Sequence, residues 1–384
     1  MSSFQVPVIA IDAIEGHPNA DAIEVALIHR YRSVVKKTSN FKPGDRVVYI
    51  PQASLLPEYL LKRLGLWDHD NAIGLLGGPQ RNRVSAAKFR GLLSQGLCLP
   101  VEEDTENDQV VWVDGEQGRI RARLGDDVSE FLGISKWVPI IPPELLGEMF
   151  SPGQEYVVDF DIEDVKAYPD AMIEGEEVEY TEKMHGVFTA VTILPAKDAK
   201  ASGASEFGFG RNRNILLYSK GLGAQGMSFK DCESNASSVY VRATAALRAR
   251  MEALGSTITE PLTIMGETFG PGVQDLHYGK VLGFKMFGAC SGYRGALEHY
   301  GPEKRAELAR TLEIDQVHCF YRGPFSWETL AEHTDGKTAT GAGHIREGVV
   351  VTPVKQRDHI RLGRVIAKSV SEKYLLRKGG TEFS

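Results

Sequence analysis

Glu182-Lys183-Met184-His185-Gly186 places a lysine three residues ahead of a glycine, directly after the strand-like run Val178-Glu179-Tyr180-Thr181. A solvated lysine has a pKa near ~10.4 and almost no free amine at neutral pH, so it becomes a nucleophile only where burial or neighbouring cations depress that value. A K-x-x-G tetrapeptide arises often by chance, and an exposed lysine at a strand end is the bland alternative. The motifs downstream of it decide between the two.

Five such motifs occur in order. Ser219-Lys220-Gly221 closes the apolar run Ile215-Leu216-Leu217-Tyr218, and Met265-Gly266-Glu267-Thr268-Phe269-Gly270 comes after Leu262-Thr263-Ile264. Then come Phe284-Lys285-Met286-Phe287-Gly288, Glu347-Gly348-Val349-Val350-Val351 and Ala367-Lys368-Ser369-Val370-Ser371-Glu372-Lys373-Tyr374. This series resembles the covalent nucleotidyltransferases, the superfamily of ATP-dependent DNA ligases, RNA ligases and mRNA capping enzymes. Within it the chain is most similar to ATP-dependent RNA ligases that carry an OB-like module ahead of the ligase domain. The catalytic likeness runs from about Val157 to the C-terminus, with a weaker match over roughly the first 135 residues.

The resemblance implies an α+β protein. An N-terminal small β-barrel (OB-like) module over 1–135 would lead through a Pro-rich linker, 136–155, to a nucleotidyltransferase domain over 156–384. That domain would be ATP-grasp-like, with antiparallel sheets and flanking helices. It also implies roles. Lys183 would attack the α-phosphorus of ATP, and Lys368 would contact the α-phosphate. Glu347 would hold Mg²⁺ or Mn²⁺ or pair with the lysine itself, Glu267 would accept from the ribose hydroxyls, and Phe287 would stack on adenine. Glu182, Gly186, Ser219 and Lys220 complete the expected nucleotide contacts, with Arg211 and Arg213 as competitors of the last two.

Two positions depart from the family pattern. His185 stands where the commonest motif has an acidic residue, and a packed structural histidine is the reading adopted for it. Val370 replaces a second lysine two residues after Lys368, which leaves Arg361 or Arg364 to support the pyrophosphate. DNA ligases and capping enzymes usually append an OB domain after the last lysine motif, whereas sixteen residues come after Lys368 here. An RNA ligase is therefore expected, acting on 5′-phosphate/3′-OH breaks, in particular nicks in RNA or RNA/DNA duplexes with ribose on the 3′-OH side. A capping-type guanylyltransferase and a noncatalytic nucleic-acid-binding protein on the same fold are the alternatives.

Composition is compatible with this. Of the 384 residues 42% are hydrophobic and 25% charged, which suits a globular protein with room for two cores. The net charge of −7 argues against nonspecific coating of nucleic acid, yet leaves room for local tracks. Two are visible: Arg81, Arg83, Lys88 and Arg90, then Lys355, Arg357, Arg361, Arg364 and Lys368. Solvated surface charge is the alternative for either. The four cysteines are widely spaced and form no C-x-x-C pair, so neither a zinc site nor a disulfide framework is indicated. No leader-like or membrane-spanning run occurs, and the protein is expected to be a cytoplasmic monomer.

Local signals fill in the frame. Short strands cut by turns, such as Lys42-Pro43-Gly44-Asp45 before Arg46-Val47-Val48-Tyr49-Ile50-Pro51, suggest the small barrel. The phrases His17-Pro18-Asn19-Ala20-Asp21 and Arg90-Gly91-Leu92-Leu93-Ser94-Gln95-Gly96 resemble OB-like modules of such ligases and of some tRNA-binding proteins. Trp137-Val138-Pro139-Ile140-Ile141-Pro142-Pro143 reads as a connector. Val157-Val158-Asp159-Phe160 and Val178 to Glu182 are expected as strands. Helices are expected over Ser237–Leu254, with Gly255 past its end, and over Pro302–Leu312, with proline in its first turn.

Overall fold

The structure is a computed structural model that describes residues 4–138, 147–255 and 257–380. It divides into two compact units, Ser2–Val138 and Pro139–Ser384. Most of the proline-rich run expected as a connector, Pro139 to Pro143, lies outside the described residues. Within the stretch 136–155, Lys136 pairs with Ser54 of the first unit, and Met149–Phe150 pairs with Ser228–Phe229 of the second.

The first unit is made of short antiparallel strands. Arg46–Ile50 lies between Val8–Ala10 and Leu97–Pro100; Ile23–Ile28 lies between Ala13–Gly16 and Tyr31–Lys36; and Val110–Gly115 lies between Glu102–Glu103 and Gly118–Arg123. Tyr31–Lys36 alternates buried and open positions, the two-residue period of a strand with one face on a core. A core of this unit gathers Val8, Val48, Ile50, Leu99, Val111 and Val113 with Leu60 and Leu61 of the short helix Glu58–Arg63.

Two five-stranded sheets form the second unit. One runs in the order Glu163–Asp164, Ala367–Val370, Gly348–Pro353, Glu177–Lys183, Cys319–Pro324. Its outermost pair, Glu163–Asp164 with Ala367–Lys368, is parallel and its other pairs are antiparallel. The other sheet runs Ile215–Ser219, Val187–Ile193, Leu262–Phe269, Gly283–Ser291, Glu298–His299 and is antiparallel throughout. Val187–Ile193 is buried at every position, as befits a central strand covered on both faces. The tripeptide Met184-His185-Gly186 is the link that carries the chain from the first of these sheets into the second.

Two local expectations need correction. The helix expected over Ser237–Leu254 is two, Val239–Ala243 and Ala245–Glu252. They meet at Thr244, whose φ of −100° and ψ of 5° leave the helical region, while its hydroxyl donates to the Tyr240 carbonyl at 2.7 Å. A β-branched hydroxyl residue that bonds back to its own turn weakens the ladder at that point. Val157–Phe160 forms no strand. The Val158 amide donates to the Tyr218 hydroxyl at 3.0 Å and the Asp159 carboxylate takes Arg294 at 2.8 Å, so side chains replace a strand neighbour. The helix Pro302–Thr311, with Leu312 as its cap, matches expectation.

Candidate active site

Lys183 is the last residue of its strand and pairs with Gly348 of the neighbouring one. That register puts it beside Glu347, and the ammonium reaches the carboxylate at 2.7 Å. Lys183 keeps 23% of its side-chain surface open and Glu347 only 11%, so the pair is largely desolvated while the lysine stays reachable. The close passage of the strands demands glycine at 348. A Cβ there would stand 2.0 Å from the Ser369 carbonyl oxygen.

Gly186 answers the same demand on the other side. A Cβ would lie 2.2 Å from the Thr268 carbonyl oxygen and 2.8 Å from Glu267 Cγ. Its amide donates to Glu267 Oε1 at 2.9 Å and its carbonyl accepts from Gln274 at 3.1 Å, so the turn after Lys183 is fixed by both its polar groups. Burial raises the Glu267 carboxyl to about 8, with Lys183 opposing and Glu347 reinforcing the shift. The shift favours the protonated form of the carboxyl. A carboxylic acid still accepts through its carbonyl oxygen.

Lys368, from Ala367–Val370, lies across from Val350 and Asp164. Burial pushes it below the ordinary lysine value, and the neighbouring Lys183 charge pushes the same way. Lys220 opens the helix Lys220–Gln225 and pairs with Asp161 at 2.7 Å, while the Ser219 hydroxyl caps that helix by accepting from the Leu222 amide at 3.4 Å. The Lys220 charge also acts on Glu267 and Lys368. Glu182 lies on the opposite face of the strand from Lys183, and its carboxylate accepts from the Ala339 amide at 3.2 Å.

Phe287 joins an aromatic group that sequence reasoning did not assemble. Its ring lies 5.3 Å from Phe160 and 5.9 Å from Phe188, which stack on each other at 5.4 Å. Phe188 is paired with Glu267 across the second sheet, so the apolar and acidic parts of the site share one strand pair.

His185 is buried and uses both ring nitrogens. Nε2 donates to Asp275 at 2.8 Å and Nδ1 accepts from the Tyr374 hydroxyl at 2.7 Å, while Nδ1 stands 3.9 Å from Glu347. Burial lowers its pKa, favouring the neutral ring these bonds require. Arg377 then braces Asp275 through two bonds of 3.0 and 3.1 Å. Asp275 and Arg377 were not singled out from sequence, and Tyr374 was quoted only as the end of the Lys368 motif, with no role of its own.

The arginines offered in place of a lysine at 370 are engaged elsewhere. Arg361 holds Asp170 at 2.6 and 2.8 Å, and Arg364 donates to Gln356 at 2.7 Å. Arg357 of the same track is bidentate on Glu176. Of the competitors at the nucleotide, Arg213 lies 3.8 Å from Asp231. No group of three or more metal-ligating side chains occurs among the described residues. Nor, among them, is any helix long and apolar enough to cross a membrane. All four cysteines are free thiols.

Two sheets that meet at a lysine-bearing crossover, with carboxylates and lysines gathered round it, define a nucleotidyltransferase-like fold. The RNA ligase family model matches residues 176–370, 195 of the 384, and the chain belongs to that family. An OB-fold domain model matches residues 6–101. Among solved structures the chain is similar to variants of a Naegleria gruberi RNA ligase: one with AMP and Mn (TM-score 0.70, 23% identity, 96% of this chain and 97% of that one), one with ATP and Mn (TM-score 0.70, 22% identity, 96% and 97%) and one apo (TM-score 0.71, 23% identity, 98% and 98%). None of the curated proteins matches it.

Proposed function

We propose that this chain is an ATP-dependent RNA ligase that seals 5′-phosphate/3′-OH breaks, preferring duplex nicks with ribose on the 3′-OH side, through an AMP carried on Lys183. The observation that carries this reading is the desolvated Lys183–Glu347 pair with Lys368 and Glu267 around it. Family membership and the ATP and AMP bound to the similar Naegleria gruberi variants support it.

The chemistry is three displacements at phosphorus. Lys183 Nζ, once deprotonated, attacks the α-phosphorus of ATP; the P–N bond forms as the bond to pyrophosphate breaks. A 5′-phosphate oxygen of the RNA then takes the AMP, and the P–N bond breaks. Last, the 3′-OH attacks that 5′-phosphorus, releasing AMP and its own proton. Lys368 and Lys220 offer positive charge to the phosphates as negative charge builds on them. Phe287 offers a ring face to adenine. Glu267 and the Gly186 turn present a ribose-binding edge.

The donor set suits a magnesium or manganese ion held by Glu347 together with phosphate oxygens and water, since such ions keep much of their hydration and need no full protein cage. A bound ion there would compete with Lys183 for the carboxylate and so favour the free amine.

The test is intact mass after incubation with ATP and Mg²⁺. Wild type should gain one AMP and Lys183→Ala none; an adduct surviving in that variant would overturn the assignment. Sealing of matched nicks with RNA or DNA at the 3′-OH side then examines the ribose preference, which equal rates would remove.

A further inference from the structure

The two phrases singled out in the first unit meet in space. His17 is buried, and its Nε2 donates to the Phe89 carbonyl at 3.0 Å while Nδ1 accepts from the Asn19 amide at 3.1 Å. The Asn19 side-chain amide donates to the Arg90 carbonyl at 3.0 Å, and the Arg90 guanidinium returns a bond to the Asn19 carbonyl at 3.3 Å. Both carbonyls belong to the hairpin of Ala87–Phe89 with Leu92–Ser94. At its base Ser94 Oγ accepts from the Val34 amide at 2.9 Å, and the Gln95 amide donates to the Arg32 carbonyl at 2.7 Å. The hairpin is held at the base and again near the tip.

The tip itself is strained. Arg90 and Gly91 form a two-residue turn with φ of 42° and 102°. Turns with both central residues left-handed strongly favour Asn, Asp or Gly at the first of them, because a longer side chain costs about 1 kcal/mol or more there. An arginine occupies it nonetheless, with neighbours that pin its carbonyl. Beside it Lys88 is exposed, and Phe89 is 45% exposed, one of few large apolar side chains so open. A core residue would not be left in water, and a turn chosen for stability alone would not carry arginine.

We propose that this braced hairpin grips an unpaired stretch of RNA, with Phe89 stacked on a base and Lys88 and Arg90 on the flanking phosphates. An open aromatic between two cations matches a polynucleotide whose base faces are free, and a continuous duplex hides those faces. The proposal names a contact for single-stranded RNA flanking the duplex nick of the ligase reading, and rests on that reading for its role in sealing.

Arg90→Gly separates the explanations, since it removes the charge and relieves the turn. Fluorescence anisotropy of the full chain would be read with a labelled single-stranded RNA of about 12 nucleotides, within the span of one OB module. Arg90→Gly should bind several-fold more weakly, with a salt slope shallower by ~0.7, and should melt no lower than wild type. Phe89→Ala should lose roughly 5- to 150-fold in affinity, the span of one stacked base. Both should be adenylylated by ATP as wild type is. Wild-type RNA affinity in Arg90→Gly and Phe89→Ala would overturn the proposal and leave the hairpin to protein packing. Weakened RNA binding in a protein that never takes AMP would instead sink the ligase reading and keep the hairpin.

Discussion

Two strand-to-strand turns in this chain are each pinned by a buried histidine that donates through Nε2 and accepts through Nδ1. His17 fixes the hairpin tip of the first unit; His185 sits in the Lys183 crossover of the second. Their partners differ in kind. His17 bonds the backbone of Phe89 and Asn19, whereas His185 bonds the side chains of Asp275 and Tyr374, 90 and 189 positions away. A backbone partner fixes shape and leaves neighbouring side chains free to face solvent. Side-chain partners fix charge as well, and they place a neutral ring 3.9 Å from the Glu347 carboxylate. One turn is built to present groups outward, and the other to hold groups inward.

The largest effects should come from the inward turn. Glu347→Ala and Lys368→Ala should each cut the rate of AMP-adduct formation by ~10²-fold or more, read by mass or radiolabel. Full activity in either would remove that residue from the site. Gly186→Ala should be poorly folded or inactive, since its Cβ meets a backbone oxygen at 2.2 Å; a stable, active variant would show that the crossover can give.

Smaller effects should separate the histidines. His185→Ala strips partly buried Asp275 and buried Tyr374 of a partner and should lower unfolding free energy in urea by about 1–3 kcal/mol. His17→Ala should cost about 1 kcal/mol, weaken RNA binding and leave adenylylation alone. The contrast breaks down should His17→Ala slow adenylylation more than it weakens RNA binding.

The smallest effect is in pH. The Glu267 carboxyl rises from 4.5 to about 8 on folding, so the fold binds that proton more tightly. The stability it contributes is complete below about 4.5 and drains away as pH rises towards about 8. Glu267→Gln cannot ionise, so its melting temperature should fall less than that of wild type between pH 5 and pH 8. Parallel curves would show that another group carries the dependence.

Much of the site was legible because each motif lies in a strand or at the end of one. Lys183, Ser219 and Glu267 follow or lie within apolar runs, and Glu347 precedes one, so chain order and strand pattern placed them in register. The misses share a cause. Thr244 broke a helix whose composition was adequate throughout, because a hydroxyl back-bond outweighed propensity. Val157–Phe160 had strand composition but found its partner in the Tyr218 hydroxyl, a contact made from 60 residues away. Phe160 was read only as part of a strand and Phe188 was not singled out, and both rings stand against Phe287.

The sequence by itself determined the family, the lysine proposed as nucleophile and the order of the residues behind it, because the proposed chemistry at phosphorus needs particular side chains and short motifs carry them. Only the tertiary structure decided what surrounds them: the 2.7 Å approach of the Glu347 carboxylate to Lys183, the burial that raises the Glu267 carboxyl, the His185 bonds to Asp275 and Tyr374, and the meeting of His17 with Phe89. Those are contacts between distant positions, and their energies depend on burial and distance, which no local pattern encodes.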